Sequence, residues 1–188
     1  AGLVPMHVWM PLAHAAAPVP ASSVLSGAVV KVGIIGLIRF LPLSNSLPDW
    51  GLVLTAAGFV TAFYGVAIGL TQRHPKAVLA YSSVSQMGVV VAVLGMGLAA
   101  GDATAAIAAA FYASHHVLVK GALFLSVGVI ACTGAARRAT VLIPAALLCL
   151  GLGGLPFTGG AIAKFAVKDQ LDGDVGGWIA AAAAARST

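Results

Sequence analysis

Three stretches without a single charged residue constrain this chain more than any other feature of its sequence. Residues 50–71, 77–101 and 139–163 contain no Asp, Glu, Lys or Arg. About 20 apolar residues in a helix cross the hydrocarbon core of a bilayer, so each stretch is long enough to do so. Across the chain 60% of the residues are hydrophobic and 8% are charged, whereas a soluble domain usually has about 25% charged residues. The sequence therefore predicts an all-α, polytopic transmembrane helix bundle.

Three lysines lie within apolar sequence or beside it, at Lys31, Lys120 and Lys164. A charge at the centre of a bilayer costs about 2.5–3.5 kcal/mol on insertion scales, so a chain that keeps three of them is expected to use them. Apart from Asp169, near the end of the span predicted at 140–171, no acidic residue lies inside a predicted span. Burial of an amine without a carboxylate favours its neutral form. Such an amine is suited to taking up and releasing protons.

The apolar stretches and their breaks organise the chain as one transmembrane domain over residues 1–188. Four prolines interrupt residues 1–20, which we predict to form a half-helix and a loop. Spans are predicted at about 21–41, 50–71, 77–100, 103–132 and 140–171, and residues 176–188 are predicted to start a further helix. Because the chain does not begin with Met, we expect it to be an internal piece of a longer protein.

The charges in the loops are distributed unequally. Alternating spans place loops 72–76 and 133–139 on one side, and both contain cations: Arg73, Lys76, Arg137 and Arg138. The five acidic residues fall on the other side: Asp49, Asp102, Asp169, Asp172 and Asp174. The positive-inside rule therefore predicts that the two basic loops are cytoplasmic. We expect a multi-pass protein of a bacterial or archaeal cell membrane.

A glycine- and proline-rich segment interrupts the last predicted span near residues 153–160. The break is predicted at Leu155, Pro156, Gly159 and Gly160. Backbone groups freed inside a membrane must be satisfied by protein or by water, and broken helices mark ion sites in transporters. Lys164 follows the break, where water and free carbonyl groups can reach its amine. The alternative is a simple kink, with Lys164 extended towards the membrane interface.

His116 and Lys120 are four residues apart and share one face of the predicted helix 103–132. Two bases stacked in this way can exchange a proton directly or through one water molecule. His115 points about 100° away from His116 on the helix. For His115 a relay role and a hydrogen bond to a neighbouring helix both remain open.

Further polar residues inside the apolar spans are candidates for secondary roles. Lys31 follows Ser26 by just over one turn. The span 77–100 contains a polar patch made of Ser82, Ser83, Ser85 and Gln86. A water chain and ordinary helix–helix hydrogen bonding are both open for this patch. His7 and His14 add two imidazoles to the proline-rich start of the chain.

Several classes of function find no support in the sequence. The chain has no P-loop, no dinucleotide glycine motif, no cysteine cluster and no metal-ligand spacing, so we expect no cofactor and no metal in it. Its basic residues form no stripe, which argues against a nucleic-acid partner. Cys132 and Cys149 lie in apolar helices and are interpreted as small buried hydrophobic residues.

Five blocks of sequence, taken together, resemble one known family. The blocks are residues 3–18, 25–39, 76–88, 116–125 and 155–164, with the motifs LVPMHVWMP, LSG, LAYSSVSQMG, LFL and LP. In this order they are similar to the antiporter-like, proton-pumping subunits of three kinds of complex. These are respiratory complex I, membrane-bound hydrogenases of the formate hydrogenlyase type, and multisubunit sodium/proton antiporters.

The resemblance implies a bundle of inverted repeats with discontinuous helices and a row of ionisable residues at mid-membrane. Lys31 would be the bridging lysine, His116 and Lys120 the central relay, and Lys164 the exit or inter-subunit residue. It also implies other membrane subunits as partners and, before residue 1, a lysine on the first broken helix with the glutamate that pairs with it. The acidic partner of the buried lysines is expected to lie in that part of the protein or in another subunit. One position departs from the family pattern, because His74 stands where an acidic residue is common.

The sequence thus predicts proton translocation by an antiporter-like subunit of a redox-driven complex. In such a complex this chain would not itself be the redox catalyst. A sodium/proton antiporter subunit that is not driven by electron transfer is the alternative, because the same residues would serve both. A third hypothesis, a membrane anchor that transports nothing, predicts that all three lysines are dispensable.

Overall fold

Helices are the only regular elements among the residues that the structure describes. This computed structural model describes residues 2–154, 156, 158, 160–162 and 165. Its helices are α1 (Trp9–Ala16), α2 (Val19–Val24), α3 (Val30–Phe40), α4 (Pro48–Gly69), α5 (Pro75–Ala100), α6 (Thr104–Cys132) and α7 (Arg138–Leu152). A π-helical turn, Leu25–Val29, joins α2 to α3, and a 3₁₀ turn, Ala135–Arg137, precedes α7. The all-α fold predicted from the sequence is confirmed.

Four helical segments in the described part of the chain are long and apolar enough to cross a membrane. They are Val19–Phe40 (α2, the π turn and α3 together), α4, α5 and α6. Their ends differ by two residues or fewer from the spans predicted at 21–41, 50–71, 77–100 and 103–132. The helix α7 is apolar but shorter, with 15 residues.

Small residues allow α4 and α5 to pack with their backbones nearly in contact. A Cβ atom placed on Gly58 would lie 2.5 Å from Ala92 N and 2.7 Å from Gly88 O. Helix association in membranes depends on such close packing, because lipid offers no hydrophobic driving force between helices. We call this contact the glycine seam; its glycines are Gly51, Gly58 and Gly65 of α4 with Gly88 and Gly95 of α5.

The helix α5 forms the centre of the described bundle. Of its most apolar 18 residues 72% are buried, whereas the corresponding fraction is 33% or less in each of the other three spanning segments. It contacts α4, α6 and α1, and its Met87, Val90 and Leu94 are fully enclosed in the hydrophobic core. Because the polar patch 82–86 belongs to this central helix, its side chains can reach neighbours on several sides.

A two-residue break separates α1 from α2. The helix α1 ends at Ala16 and α2 begins at Val19, so the loop predicted within residues 1–20 is reduced to Ala17 and Pro18. Pro18 has no N–H to donate, which ends the hydrogen bonding of α1. Pro20 falls in the first turn of α2, where a proline is tolerated because that N–H would have no helical partner.

A second break follows α7, which ends at Leu152. Gly153, Gly154 and Pro156 lie in turns, and residues 160–162 are helical again. Gly154 has a φ angle of 89°, a left-handed conformation that glycine adopts without steric cost. The helix therefore ends at the start of the segment 153–160, where the sequence predicts a break.

The two cysteines are exposed on this chain, so their interpretation as buried hydrophobic residues is wrong. Cys132 is the last residue of α6, and Cys149 lies on α7, whose only buried residue is Gly151. The sequence pattern misses this because the lipid-facing and protein-facing sides of a membrane helix are both apolar.

Candidate functional site

Lys120 is the bulkiest of the fully buried side chains in the described part of the protein. Its Nζ donates a hydrogen bond to Ser82 Oγ at 2.6 Å and another to the Leu79 carbonyl oxygen at 3.1 Å. Both acceptors belong to α5 and both are neutral. The amine is therefore solvated by a hydroxyl and a backbone carbonyl, in place of the carboxylate that usually accompanies a buried cation.

Lys31 lies directly after the π-helical turn, as the second residue of α3. It is 5% exposed, and its Nζ donates to the Ser26 carbonyl oxygen at 2.5 Å. In a π turn residue i+5, instead of i+4, pairs with residue i, and such turns are frequent at functional sites. The wider turn thus fits the contact between Lys31 and a residue five positions before it.

Two serine hydroxyls connect the surroundings of Lys31 and Lys120. Ser26 Oγ and Ser83 Oγ are hydrogen-bonded at 3.1 Å. Ser83 Oγ also donates to the Leu79 carbonyl oxygen at 3.1 Å, and the same oxygen accepts from Lys120. We call this set of contacts the serine bridge; it consists of Lys31, Ser26, Ser83, Leu79 and Lys120, and at its two ends the lysines bind the backbone carbonyl oxygens of Ser26 and Leu79. It joins three elements, the π turn with α3, α5 and α6.

Two buried imidazoles lie near the serine bridge. His14 and His116 are both 0% exposed, and none of their ring nitrogens has a hydrogen-bond partner among the described residues. Both rings interact electrostatically with Lys31 and Lys120. A buried polar nitrogen without a partner costs about 1–3 kcal/mol. We therefore expect water molecules, or groups outside the described residues, to bind these nitrogens.

The predicted pairing of His116 with Lys120 takes an indirect form. Their spacing places them on one helix face, but Lys120 directs its ammonium group to α5, and the described hydrogen bonds of Lys120 do not include His116. An ammonium group only donates hydrogen bonds, and that of Lys120 finds two oxygen acceptors on α5. Transfer between the two bases is therefore expected to pass through water.

His7 and His115 occupy other surroundings. The His7 ring packs edge-on against Tyr64 of α4, with 4.7 Å between ring centroids, and lies 6.4 Å from Tyr81 of α5. His115 faces the second break, since a Cβ atom placed on Gly160 would lie 3.3 Å from His115 Cε1. The described hydrogen bonds of the serine bridge include neither histidine.

The four residues of the polar patch of α5 have different contacts. Ser83 belongs to the serine bridge and Ser82 binds Lys120, whereas Gln86 accepts a hydrogen bond from the hydroxyl of Tyr112 on α6. Ser85 packs against Gly65 in the glycine seam. Neither Ser85 nor Gln86, both candidates for secondary roles, contacts a lysine through a described hydrogen bond.

A cavity of about 280 Å³ lies beside Lys120, between α4, α5, α6 and α7. Its polar lining residues are Ser82, Ser85, Gln86 and Lys120, and most of the remaining lining is apolar. A cavity of this size has room for several water molecules, which its polar lining groups would bind. Lys120 itself is 0% exposed, so water in the cavity would reach its amine only after a small movement of the lining side chains.

Several predicted residues lie outside the described part of the chain. Lys164, Leu155 and Gly159 are among them, and their roles stay predictions. Within the described residues no group of three His, Cys, Asp or Glu side chains is placed to hold a metal ion.

Three contacts were missed from the sequence. Tyr112 binds Gln86, Phe124 stacks on His14 with 4.6 Å between ring centroids, and Lys76 binds the break after α1. Of these residues only Phe124 could have been singled out from the sequence, because it follows Lys120 by four residues and so shares its helix face. Tyr112 and Lys76 gave none, since their partners lie on other helices.

The arrangement is chemically a cluster of bases without an acid. Lys31 and Lys120 interact electrostatically with each other and with the buried rings of His14 and His116. A positive charge on either lysine therefore disfavours a second charge close to it. Bases arranged in this way can exchange a proton when hydroxyls and water connect them.

The fold and the site together define a polytopic α-helical membrane protein with a buried cluster of basic residues. A family model described as NADH:quinone oxidoreductase/Mrp antiporter, TM, matches residues 1–172. The chain belongs to this family of antiporter-like membrane proteins.

Individual relatives agree with this assignment. Hydrogenase-4 component B of Escherichia coli is 37% identical, over 69% of this chain and 21% of that protein. An uncharacterised protein of Mycobacterium tuberculosis is 35% identical, over 91% of this chain and 30% of its own length. A chain in the structure of the Mrp complex from Dietzia sp. DQ12-45-1b matches with a TM-score of 0.82 and 31% identity, over 98% of this chain and 21% of that one. This chain therefore spans less than a third of the length of the relatives it matches.

Proposed function

We propose that the protein translocates protons as an antiporter-like subunit of a redox-driven membrane complex, complex I-like or of the membrane-bound hydrogenase type. Lys31, His116 and Lys120 would be the protonatable sites within the described residues, and Lys164 the exit site. The other membrane subunits of that complex would be its partners. The similarity to Hydrogenase-4 component B supports the redox-driven alternative.

The serine bridge is the observation that supports this function best. It links the surroundings of two buried amines on different helices: Ser26 and Ser83 share a hydroxyl–hydroxyl hydrogen bond, while Lys31 and Lys120 bind the backbone carbonyl oxygens of Ser26 and Leu79. A hydroxyl can accept a hydrogen bond from one side while donating one to the other, so a water molecule beside each amine would complete a path between them. Neither Ser26 nor Ser83 is exposed. A non-transporting anchor would have no use for buried amines, which cost free energy in a membrane.

Replacing Ser83 with alanine is expected to slow proton transport about fivefold, because one hydrogen bond of about 1 kcal/mol net is lost from the bridge. Ser26→Ala should have the same effect, since both variants lose the hydrogen bond between the two hydroxyls. The measurement is the initial rate of acidification in proteoliposomes that contain the intact complex. Ser114→Ala is the matched control, because Ser114 is exposed and binds only within its own helix. Unchanged rates in both bridge variants would contradict the proposal.

A sodium/proton antiporter subunit is the second candidate, and the similarity to a chain of an Mrp complex favours it. The two functions differ in their driving force. In the redox-driven complex, an electron donor should produce proton transport in sodium-free proteoliposomes. In the antiporter, an imposed sodium gradient should drive proton movement without any electron donor. Proton movement that a sodium gradient drives but an electron donor does not would replace the redox-driven assignment with the antiporter.

The cytoplasmic position of loops 72–76 and 133–139 is part of the same proposal. A single cysteine introduced by Arg137→Cys, in a background with Cys132→Ala and Cys149→Ala, should react with a membrane-impermeant maleimide only from the cytoplasmic side. Labelling from the outside of intact cells would reverse the orientation.

A further inference from the structure

We propose that Lys76 is a positioning residue, which holds the break between α1 and α2 closed and thereby fixes His14 beside the serine bridge. Lys76 is the second residue of α5, distant in sequence from the break. Its Nζ donates a hydrogen bond of 2.7 Å to the carbonyl oxygen of Ala17. The contact therefore links the first turn of α5 to the residue that follows α1.

The carbonyl groups at this break need donors from elsewhere in the chain. In a continuous helix, the carbonyl of His14 would accept from the N–H of residue 18, which is a proline and has none. Ser22 Oγ replaces that donor, at 3.2 Å from His14 O. Ala17 O in turn accepts from both Lys76 Nζ and Ser22 Oγ, the latter at 3.4 Å. Two side chains thus satisfy the backbone that the prolines leave open.

The charge of Lys76 suits this position. The last carbonyl groups of a helix form the negative end of its dipole, where a cation is favoured. Lys76 is only partly buried, and its ammonium group approaches the carboxyl end of α1 from the first turn of α5. A backbone oxygen, not an acidic side chain, accepts its described hydrogen bond.

The position of His14 depends on this closure. His14 lies in the last turn of α1, and its ring stacks on Phe124 at a centroid distance of 4.6 Å. Phe124 is one helical turn beyond Lys120 on α6. A shift of the end of α1 would therefore move the His14 ring relative to Lys120. Lys76 has no described hydrogen bond to a member of the serine bridge; it acts on His14 through the closure and through its charge, and Lys76→Arg keeps that charge.

Amide hydrogen exchange in the intact complex tests the closure directly. In Lys76→Met, exchange in the segment 14–24 is expected to rise about tenfold, because a charge-assisted hydrogen bond is lost at the break. Lys76→Arg keeps a cationic donor and should restore slow exchange. Arg73→Met is the matched control, because it removes one cation from the same loop at an exposed position. Wild-type exchange in Lys76→Met would overturn the proposal, as would equal acceleration in Arg73→Met.

A second measurement tests whether the closure of the break affects proton transport, and it rests on the proposed function. Lys76→Met should lower proton transport about tenfold in assembled complexes, with recovery in Lys76→Arg. Ser22→Ala and Lys76→Met should show non-additive effects on exchange, since both donors meet at Ala17 O. Additive effects would contradict a shared role. If exchange rises in Lys76→Met but transport in wild-type protein is absent, the positioning claim holds and the proposed function fails.

Discussion

Replacement of Lys120 by methionine is expected to reduce proton transport by about 100-fold or more in the intact complex. Methionine has a similar length but no proton to exchange, and removal of a positioned acid–base group typically costs a factor of about 10²–10⁴. Lys120 is fully buried, and its hydrogen bonds to Ser82 and Leu79 place it at one end of the serine bridge. The measurement is the initial rate of proton transport in proteoliposomes, at equal amounts of assembled complex.

Arg39→Met is the matched control for this variant. Arg39 is a cation near the end of α3, but it is exposed and has no place in the serine bridge. Its replacement removes the same charge from a spanning segment and should leave transport near the wild-type rate. A Lys120→Met variant that transports as fast as Arg39→Met would exclude a relay role for Lys120 and would favour the anchor hypothesis.

Replacement of Gly58 by alanine is expected to destabilise the α4–α5 pair by about 3 kcal/mol or more, the upper range for overpacking. The new methyl group would meet Ala92 N at 2.5 Å and Gly88 O at 2.7 Å. These are backbone atoms of the central helix, so the two helices must separate to make room. The measurement is the fraction of folded, monodisperse protein after extraction in detergent, together with its midpoint of denaturation.

Gly36→Ala provides the control for Gly58→Ala. Gly36 also lies within a spanning helix, but no atom lies within 4 Å of the Cβ that alanine would add. Alanine also has the higher helix propensity, so this variant should be as stable as the wild type or slightly more stable. Equal stability of the two variants would contradict the glycine seam as the contact that holds α4 against α5.

The membrane spans could be predicted because length and apolar composition determine them. The long apolar stretches gave four spanning helices whose ends lie within two residues of the predicted ones, and the lysines inside two of them gave the candidate site. Burial of Lys31 and Lys120 followed from the same pattern. These features depend on the local sequence and on the thickness of a bilayer, both of which a single chain reveals.

The connections within the site could not be predicted, because they depend on how three helices pack. The sequence offered four polar side chains on α5, and only the packing shows that Ser82 and Ser83 face the lysines. The π turn before Lys31 left no recognisable pattern. For the same reason the exposure of Cys132 and Cys149 was missed, since an apolar helix does not reveal which face meets lipid.

A side-by-side measurement of Lys31→Met and Lys120→Met tests the central claim most directly. The two lysines lie on different helices, and the contacts of the serine bridge lie between them. Proton transport by the intact complex in proteoliposomes should therefore fall to a similar extent in both variants, by about 100-fold, while assembly is unchanged. Loss of transport in one variant with a wild-type rate in the other would contradict a single path through both lysines.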